Sequence, residues 1–399
     1  MTTQIIRPSI EKAAAPRLRL EYLEGLRGLA ALYVVLHHAY MELHYRQTAP
    51  GHFSGLPETF FKALKFLDFG HYAVDVFIVL SGYCLMLPVV SSADGALRGG
   101  LRGYFARRAR RILPPYYAVL VLSLMAVPVM RWMQSFLGVT DPLAMSGCTP
   151  AVVAAHLLVI HNLSPDLALF TNPPLWSVAT EWQIYFFFPG LLVLWRRFGA
   201  IVPIVAGFAL GLAPHYLLHG LFDSAYPWYL GLFALGMAGA VVGFSLRPSV
   251  AIWRDKVPWG LCAGILWLGL AVFGVVKSGW YADHRFLADP IFGVATLCLL
   301  VFGTEQLRSG ANLPRFSVVR LLDSTFSRRL GAFSYSLYLF HFPLIILADT
   351  TLLILHVSPI ARAAAMFGLI LPAAVSLAYV FYLAFEKPFT SQRANGRRS

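Results

Sequence analysis

The chain has 399 residues, of which 58% are hydrophobic and 13% are charged, whereas soluble globular domains usually carry about 25% charged residues. This imbalance excludes an ordinary soluble fold and a disordered chain. The net charge is +13, which in a soluble protein would suggest a nucleic-acid partner, so its meaning depends on where the basic residues lie.

The amino-terminal segment does not have the pattern of a signal peptide. Residues 1–21 are polar and basic, without an apolar core or a small-residue cleavage site. We therefore predict a cytosolic tail. The four cysteines are scattered and form no CxxC pair, which argues against a disulfide framework or a zinc site, and no metal is expected.

Ten apolar segments are long enough to span a membrane, since about 20 apolar residues cross a hydrocarbon core of about 30 Å. The predicted spans are roughly 22–42, 71–90, 112–131, 176–196, 199–218, 226–245, 258–276, 289–306, 331–352 and 361–384. An eleventh apolar stretch, 151–160, is about half that length and is followed by His161-Asn162-Leu163-Ser164-Pro165. It is predicted to be re-entrant or interfacial.

The basic residues predict the orientation of these spans, because short cytoplasmic loops carry an excess of Lys and Arg. With the amino terminus inside, 24 of the 32 basic residues fall on the cytosolic side and seven on the other, while Arg27 lies inside the first span. The positive charge is therefore mainly an orientation signal, and no nucleic-acid partner is expected. The predicted organisation is a cytosolic tail (1–21), one all-α membrane domain (22–389) and a second cytosolic tail (390–399).

Ionisable side chains inside the spans are costly and usually face a cavity or a charged partner. Those that stand out are Arg27, His37, His38, His71, Asp75, Glu181, His215 and His341. Arg27 and His38 are eleven residues apart, which places them on one stripe of a helix about 16 Å apart.

A candidate acid–base site follows from the depths of three of these groups. His38, Asp75 and Glu181 are predicted to share one level in the outer half of the membrane. A carboxylate beside a histidine orients it and favours its action as a general base on a hydroxyl. A lone intramembrane histidine can instead serve as a hydrogen-bonding contact between helices, and this interpretation is favoured for His37, His71 and His215.

The predicted cytosolic loop between the second and third spans contains arginine and no lysine. Its arginines are Arg98, Arg102, Arg107, Arg108, Arg110 and Arg111. Membrane orientation and anionic lipids explain a basic run. Guanidinium groups also bind phosphates in a bidentate manner, so a phosphate-bearing cytosolic ligand is a second interpretation.

Six segments in order along the chain resemble the membrane acyltransferase family 3, whose members O-acylate surface glycans, Nod factors and some antibiotics. They are Arg27–His38 (the family's R-x10-H), Val74–Gly82 (VDxFFxxSG), Arg107–Tyr116 (RRxxRIxPxY), Trp176–Tyr185 (WSLxxExxFY), Ser334–Pro343 (SYSLYLxHxP) and Glu386–Phe389 (EKPF). Ile78 and Ile184 stand where the family has Phe.

The resemblance implies about ten helices around a central cavity, and transfer of an acyl group, usually acetyl, from cytosolic acyl-CoA to a hydroxyl of a carbohydrate or similar acceptor. It makes His38 the catalytic histidine and places Arg27 in the donor tunnel. The CoA phosphates would lie near four arginines, Arg107, Arg108, Arg110 and Arg111. Asp75 and Glu181 are expected to act on the acceptor side. Substrate-binding or structural roles fall to the remaining motif residues, Ser81, Trp176, Tyr185, Ser334, Tyr335, Tyr338 and His341.

The resemblance leaves two points of mechanism open. Many members carry a carboxy-terminal periplasmic SGNH domain; none is expected here, so a second transfer step would require another protein. Direct transfer to the acceptor is favoured over an acyl-enzyme, for which the candidate nucleophiles are Ser81, Ser177, Ser334 and Ser336.

Two functions from other classes also fit a bundle with buried charges. They are a proton-coupled secondary transporter and a non-catalytic subunit of a glycan-assembly complex. The predicted location is the bacterial cytoplasmic membrane, and neither the acceptor nor the oligomeric state is specified by these patterns.

Overall fold

The computed structural model describes residues 20–48, 55–92, 95–137, 148–170, 172–245, 247–310, 314 and 317–390. Nearly all of both predicted tails and the middle of the loop 132–175 lie outside these ranges. Within them the chain is helical and contains no strand. The helices are α1 (Glu21–Thr48), α2 (Glu58–Ala63), α3 (His71–Val90), α4 (Gly100–Leu137), α5 (Pro150–Leu157), α6 (Pro165–Ala168), α7 (Leu175–Phe198), α8 (Ile201–Leu217), α9 (Tyr229–Phe244), α10 (Pro248–Lys256), α11 (Trp259–Val276), α12 (Ser278–Asp283), α13 (Arg285–Ser309), α14 (Val318–Leu322), α15 (Thr325–Ala332), α16 (Ser334–Ile354), α17 (Pro359–Ala365), α18 (Leu371–Phe381) and α19 (Lys387–Thr390).

Each of the ten predicted spans falls on a helix. Among the described residues, eight helical segments are long and apolar enough to cross a membrane by length and composition, the last being the continuous run 359–390 that contains α17 to α19. Of the other two, α8 is apolar with 17 residues, and α1 is 28 residues long but carries several charges. The all-helical membrane fold is therefore confirmed, while the count of ten and the cytosolic termini stay predictions.

The bundle has two ends that organise the site. The arginine side is the end where α1, α4 and α16 begin and α3 finishes; the opposite side is the end where α3 begins. Helices α3 and α9 cross in close contact because each presents a glycine to the other's backbone. A Cβ added to Gly82 would lie 2.0 Å from the Phe233 carbonyl oxygen, and one added to Gly236 would lie 1.9 Å from that of Val79. Small residues allow this close approach of helices in membranes.

The start of α16 is held by a residue near the end of the chain. The Glu386 carboxylate, 5% exposed, accepts hydrogen bonds from the Ser336 hydroxyl at 2.6 Å and the Ser336 backbone N–H at 3.2 Å. Negative charge is favoured near a helix N-terminus, whose N–H groups lack partners within the helix. Glu386 lies in a π-helical turn, 382–386, which joins α18 to α19.

The eleventh apolar stretch forms α5, of eight residues, followed by a 3₁₀ turn at 161–163, so it is too short to span. Its turn is fixed to α7 by Asn162, whose amide donates to the Thr180 hydroxyl at 3.0 Å. The rings of His156 and His161 stack with centroids 3.9 Å apart. Burial lowers the pKa of His161 to about 3, so this stacked pair is held in its neutral form at ordinary pH.

Candidate active site

A cavity of about 260 Å³ lies between five helices of the bundle, α1, α3, α4, α7 and α16. It is lined by Glu24, Arg27, Val74, Phe77, Ile78, Ser81, Cys84, Arg108, Arg111, Ile112, Ser177, Val178, Glu181, Tyr185, Ser334, Tyr335 and Tyr338. Five of the six motif segments contribute to this wall. The structure therefore brings together segments that are far apart in the chain.

Three of the five arginines predicted to bind the donor line the cavity at the arginine side. Arg108 and Arg111 are three residues apart on α4 and so lie on one face of it. Arg27 lies across the cavity on α1, where it pairs with Glu24 at 3.1 Å. The mouth thus combines three guanidinium groups from two helices, a composition suited to a phosphorylated ligand.

The other two arginines of this set point elsewhere. Arg107 donates to the Arg98 carbonyl oxygen at 2.6 Å, and Arg110 is exposed to the surroundings. The run of arginines on α4 therefore divides into two that line the cavity and two that do not.

In the cavity wall, Glu181 holds two hydroxyl groups. Its Oε1 accepts hydrogen bonds from the Ser81 hydroxyl at 2.7 Å and from the Tyr185 hydroxyl at 2.6 Å. The two hydroxyl oxygens are 2.9 Å apart, and the Arg108 guanidinium lies 5.9 Å from the Tyr185 ring centroid. These groups form a continuous polar strip that leads inward from the mouth.

Among the described residues, the side-chain partner of His38 is another histidine and not a carboxylate. His38 Nδ1 lies 2.9 Å from His341 Nε2, and His341 Nδ1 lies 3.0 Å from the Leu337 carbonyl oxygen. A carbonyl can only accept, so His341 carries its proton on Nδ1 and its Nε2 accepts from His38. His38 is thereby protonated on Nδ1, which leaves its Nε2 with a free electron pair.

Tyr338 connects the cavity to this histidine pair. It lines the cavity, its hydroxyl lies 2.6 Å from that of Ser177, and its ring centroid is 6.2 Å from that of His341. The Tyr338–Ser177 hydrogen bond therefore joins α16 to α7 where the cavity approaches the two histidines.

The third expected member of the site lies in a different group. Asp75 faces His71 and Asp289, and the three ligand-type atoms lie within 4.8 Å of one another. His38, Asp75 and Glu181 thus have different neighbours in the structure, because helical spacing fixes the face of a residue but not the helix it faces. That the three share one level in the membrane stays a prediction. Their catalytic roles stay predictions.

Sequence reasoning missed Asp289, which lies at the edge of the eighth predicted span. A carboxylate at that position was the available signal, since acidic residues are rare at bilayer depth. His37, His71 and His215 each have a polar partner, as expected for histidines that join parts of the fold: the Leu67 carbonyl, Asp289 and Asp223 respectively.

Comparison with known proteins gives a consistent result. A family model described as an acyltransferase domain matches residues 20–382. The chain is 26% identical to the acyltransferase MdmB of Streptomyces mycarofaciens, over 83% of this chain and 80% of that protein. It is 23% identical to the O-acetyltransferase OatA of Staphylococcus aureus, over 86% of this chain and 53% of that protein.

A third relative is the peptidoglycan O-acetyltransferase OatA of Listeria monocytogenes, 24% identical over 83% of this chain and 50% of that protein. The chain thus spans about half the length of the two OatA relatives. No solved structure matches it significantly.

Proposed function

This chain belongs to the membrane acyltransferase family 3, and from that premise we propose that it is an O-acyltransferase that uses acyl-CoA. The transferred group would be acetyl, and the acceptor a hydroxyl of a carbohydrate or a related molecule. Acyl-CoA would enter from the cytosol at the arginine side, and the acceptor would approach from the opposite side.

The observation that carries this proposal is the composition of the cavity from end to end. Arginines line its mouth, and its inner wall includes Tyr338, next to the His38–His341 pair. A donor with a charged phosphate end and a long neutral arm ending in a thioester fits that order of polarity. Arg27 and His38 are about 16 Å apart along α1, a span that the pantetheine arm would bridge.

In this proposal His38 acts as the general base through the free electron pair on its Nε2. It would remove the proton from the acceptor hydroxyl while the oxygen attacks the thioester carbonyl carbon. The carbon–sulfur bond then breaks, and the CoA sulfur leaves and takes the proton back from His38. The products are the acyl ester and CoA thiol, with His38 returned to its starting form.

Direct transfer fits the hydrogen bonding of the serines better than an acyl-enzyme does. The hydroxyls of the candidate nucleophiles other than Ser81 are engaged within the fold, Ser177 with Tyr338, Ser334 with the Gly331 carbonyl oxygen and Ser336 with Glu386. Ser81 donates to Glu181 at 2.7 Å, a contact with a carboxylate that a serine nucleophile would also use, so Ser81 is the serine at which an acyl-enzyme would form if transfer were not direct.

The test measures acyl transfer by the purified full chain with radiolabelled acetyl-CoA and a glycan acceptor extract, scoring both labelled product and free CoA. His38→Ala should lower the rate by at least about 10²-fold, as expected for loss of a general base. The matched control is His37→Ala, since His37 is the adjacent histidine but bonds a backbone carbonyl at 2.7 Å; it should retain most of the activity.

The proposal would be overturned by full transfer in His38→Ala. The absence of both acylated product and CoA release in the unmodified protein, with its native membrane extract as acceptor source, would favour the transporter or the non-catalytic subunit instead.

A further inference from the structure

Three buried carboxylate oxygens at the opposite side of the bundle have no hydrogen-bond partner within the described part of the chain. They are Asp75 Oδ1, Asp75 Oδ2 and Asp289 Oδ1, and both aspartates are 0% exposed. The Tyr229 hydroxyl is a near neighbour of Asp75. Two buried carboxylates in this state require compensation, either by a proton or by a cation.

We propose that His71, Asp75 and Asp289 bind a divalent cation, with Zn²⁺ the best match. Each residue offers one ligand atom, and the three atoms lie within 4.8 Å of one another. His71 Nε2 and Asp289 Oδ1 are 3.3 Å apart. Two ligands of a tetrahedral ion with bonds of about 2.0 Å are separated by about 3.3 Å, so this pair already has the required spacing. Asp75 closes on the ion as it binds.

The surroundings of the group support this assignment. The Trp228 indole donates to Asp289 Oδ2 at 2.7 Å, which turns Oδ1 toward His71. Partners that orient a ligand in this way are a regular feature of metal sites. The Tyr229 hydroxyl lies 3.2 Å from His71 Nε2, where it can satisfy that nitrogen until the ion binds.

Charge and ligand type select the ion. The aspartates contribute two negative charges, and Arg285, whose charge acts on both of them, donates its hydrogen bond to the Tyr226 hydroxyl. An imidazole in the ligand set favours Zn²⁺ over Ca²⁺ or Mg²⁺, which take oxygen ligands. His71 also stacks on Trp176, with centroids 5.9 Å apart, so the ion would join α3 and α13 beside the start of α7.

The test is metal retention by the purified full chain in detergent. The protein is stripped with a chelator, equilibrated with Zn²⁺, passed through a desalting column and analysed by elemental mass spectrometry. We expect about one Zn²⁺ per chain. Asp75→Asn and Asp289→Asn should weaken Zn²⁺ binding at least about tenfold, since even partners that only orient a metal ligand contribute 10–100-fold.

Asp223→Asn is the matched control, because Asp223 forms another histidine–aspartate contact, 2.7 Å from His215. It should retain the ion, and added Zn²⁺ should raise its thermal midpoint as in the unmodified protein. Asp75→Asn keeps the proposal testable even if Asp289→Asn does not fold, because asparagine at position 75 can still accept from the neighbouring Tyr229 hydroxyl, whereas Asp289 supports Trp228.

Three results would overturn the proposal. The first is failure of the folded, unmodified protein to retain Zn²⁺. The second is equal retention of Zn²⁺ by Asp75→Asn and by the unmodified protein. The third is an Asp75→Asn variant that is more stable than the unmodified protein while Zn²⁺ changes the stability of neither, which would show that the aspartates share a proton instead.

Discussion

The imidazole of His38 contacts a residue 303 positions away in the chain, His341, at 2.9 Å. His341 has one ring nitrogen bonded to the Leu337 carbonyl, and the His38 ring also has a hydrogen bond to the Val34 carbonyl; both contacts are consistent with a proton on His38 Nδ1. In the proposed mechanism His341 is a positioning residue for His38, since it helps to hold the base in one tautomer.

Replacement of His341 tests this relation. His341→Ala removes the side-chain acceptor for His38 Nδ1–H and should reduce acyl transfer by up to about 10²-fold, the lower end of what a general base contributes. His341→Gln offers a side-chain oxygen as acceptor and should restore part of the rate. The measurement is the transfer rate of both variants at equal amounts of folded protein.

A purely structural role for His341 predicts a different outcome. Both variants would then lose thermal stability and activity together, and Gln would give no recovery of rate at equal folded amount. That result would remove His341 from the proposed mechanism.

The sequence supports part of this site at the level of single residues. The shared stripe of Arg27 and His38 follows from their spacing, and the motif resemblance identifies most residues of the cavity wall. The pairing of His38 with His341 and of Asp75 with Asp289 could not be predicted, because it depends on which helices become neighbours. Helical periodicity contains no information about that choice.

At the scale of an element, helix α4 shows how a run of arginines divides between the cavity and the surroundings. Arg108 and Arg111 lie one turn apart on the face toward the cavity, whereas Arg110 is exposed. Orientation of the helix in a membrane requires only positive charge, which lysine also provides. Bidentate binding of a phosphate requires the guanidinium group.

Lysine substitutions therefore separate the two roles. Arg108→Lys and Arg111→Lys should each raise the KM for acetyl-CoA by about tenfold, equivalent to the loss of about 1.4 kcal/mol of binding. Arg110→Lys, with the same chemical change on the exposed face, should leave the KM close to that of the unmodified protein. The measurement is initial transfer rate against acetyl-CoA concentration.

Equal effects of the three substitutions would contradict this division of α4. An unchanged KM in Arg108→Lys and Arg111→Lys together would remove the cavity mouth as the phosphate site, even if transfer activity itself were present.

The turn after α5 gives a prediction about pH. Burial lowers the pKa of His161 to about 3 in the folded protein, against about 6.5 in an unfolded chain. Between these values the unfolded state binds more protons, so stability is complete above about pH 6.5 and falls as the pH is lowered toward 3. At pH 5 the loss from His161 is about 2 kcal/mol.

Thermal unfolding in detergent at pH 7 and pH 5 measures this loss. His161→Asn should reduce the difference between the two pH values, whatever its effect on stability at pH 7. The same substitution at the exposed His219 should leave the difference unchanged. A pH difference that is equal in all three proteins would show that His161 does not carry it.

For the whole molecule, the structure changes the count of basic residues that predicts its orientation in the membrane. Two of the seven basic residues on the predicted outer side are buried beside carboxylates: Arg46 lies 2.7 Å from Glu42, and Arg362 lies 3.1 Å from Asp349. Paired charges inside the fold give little orientation signal, because that signal comes from loop residues. The remaining imbalance is 24 basic residues against five.

The helical architecture was largely predictable because the bilayer requires about 20 apolar residues per crossing and leaves few alternatives to a helix. The close packing of α3 against α9 was harder to predict. Gly82 belongs to a recognisable motif, but only the structure shows that a side chain there would collide with the Phe233 carbonyl.

Orientation can be tested with single cysteines in a variant whose four native cysteines are replaced by serine. The three positions chosen, Thr48, Arg110 and Thr390, are exposed. Thr48 lies at the end of the bundle opposite the arginine side. Arg110 lies near the start of α4, and Thr390 lies at the end of α19, which packs against α4. A membrane-impermeant maleimide should label Thr48→Cys in intact cells, and Arg110→Cys and Thr390→Cys only after permeabilisation.

The reverse pattern would place the arginine mouth outside the cell, where acyl-CoA is not supplied by metabolism, and would contradict the proposed donor. Helix α19 packs against α4, so Arg110 and Thr390 should lie on the same side of the membrane. Labelling of Arg110→Cys and Thr390→Cys from different sides would contradict this packing. The expected pattern places the three arginines of the mouth in the cytosol and the beginning of α3 outside. Under that orientation, the proposed function requires the acyl group to pass through the bundle, from the arginine side to His38, before it reaches an acceptor beyond the membrane.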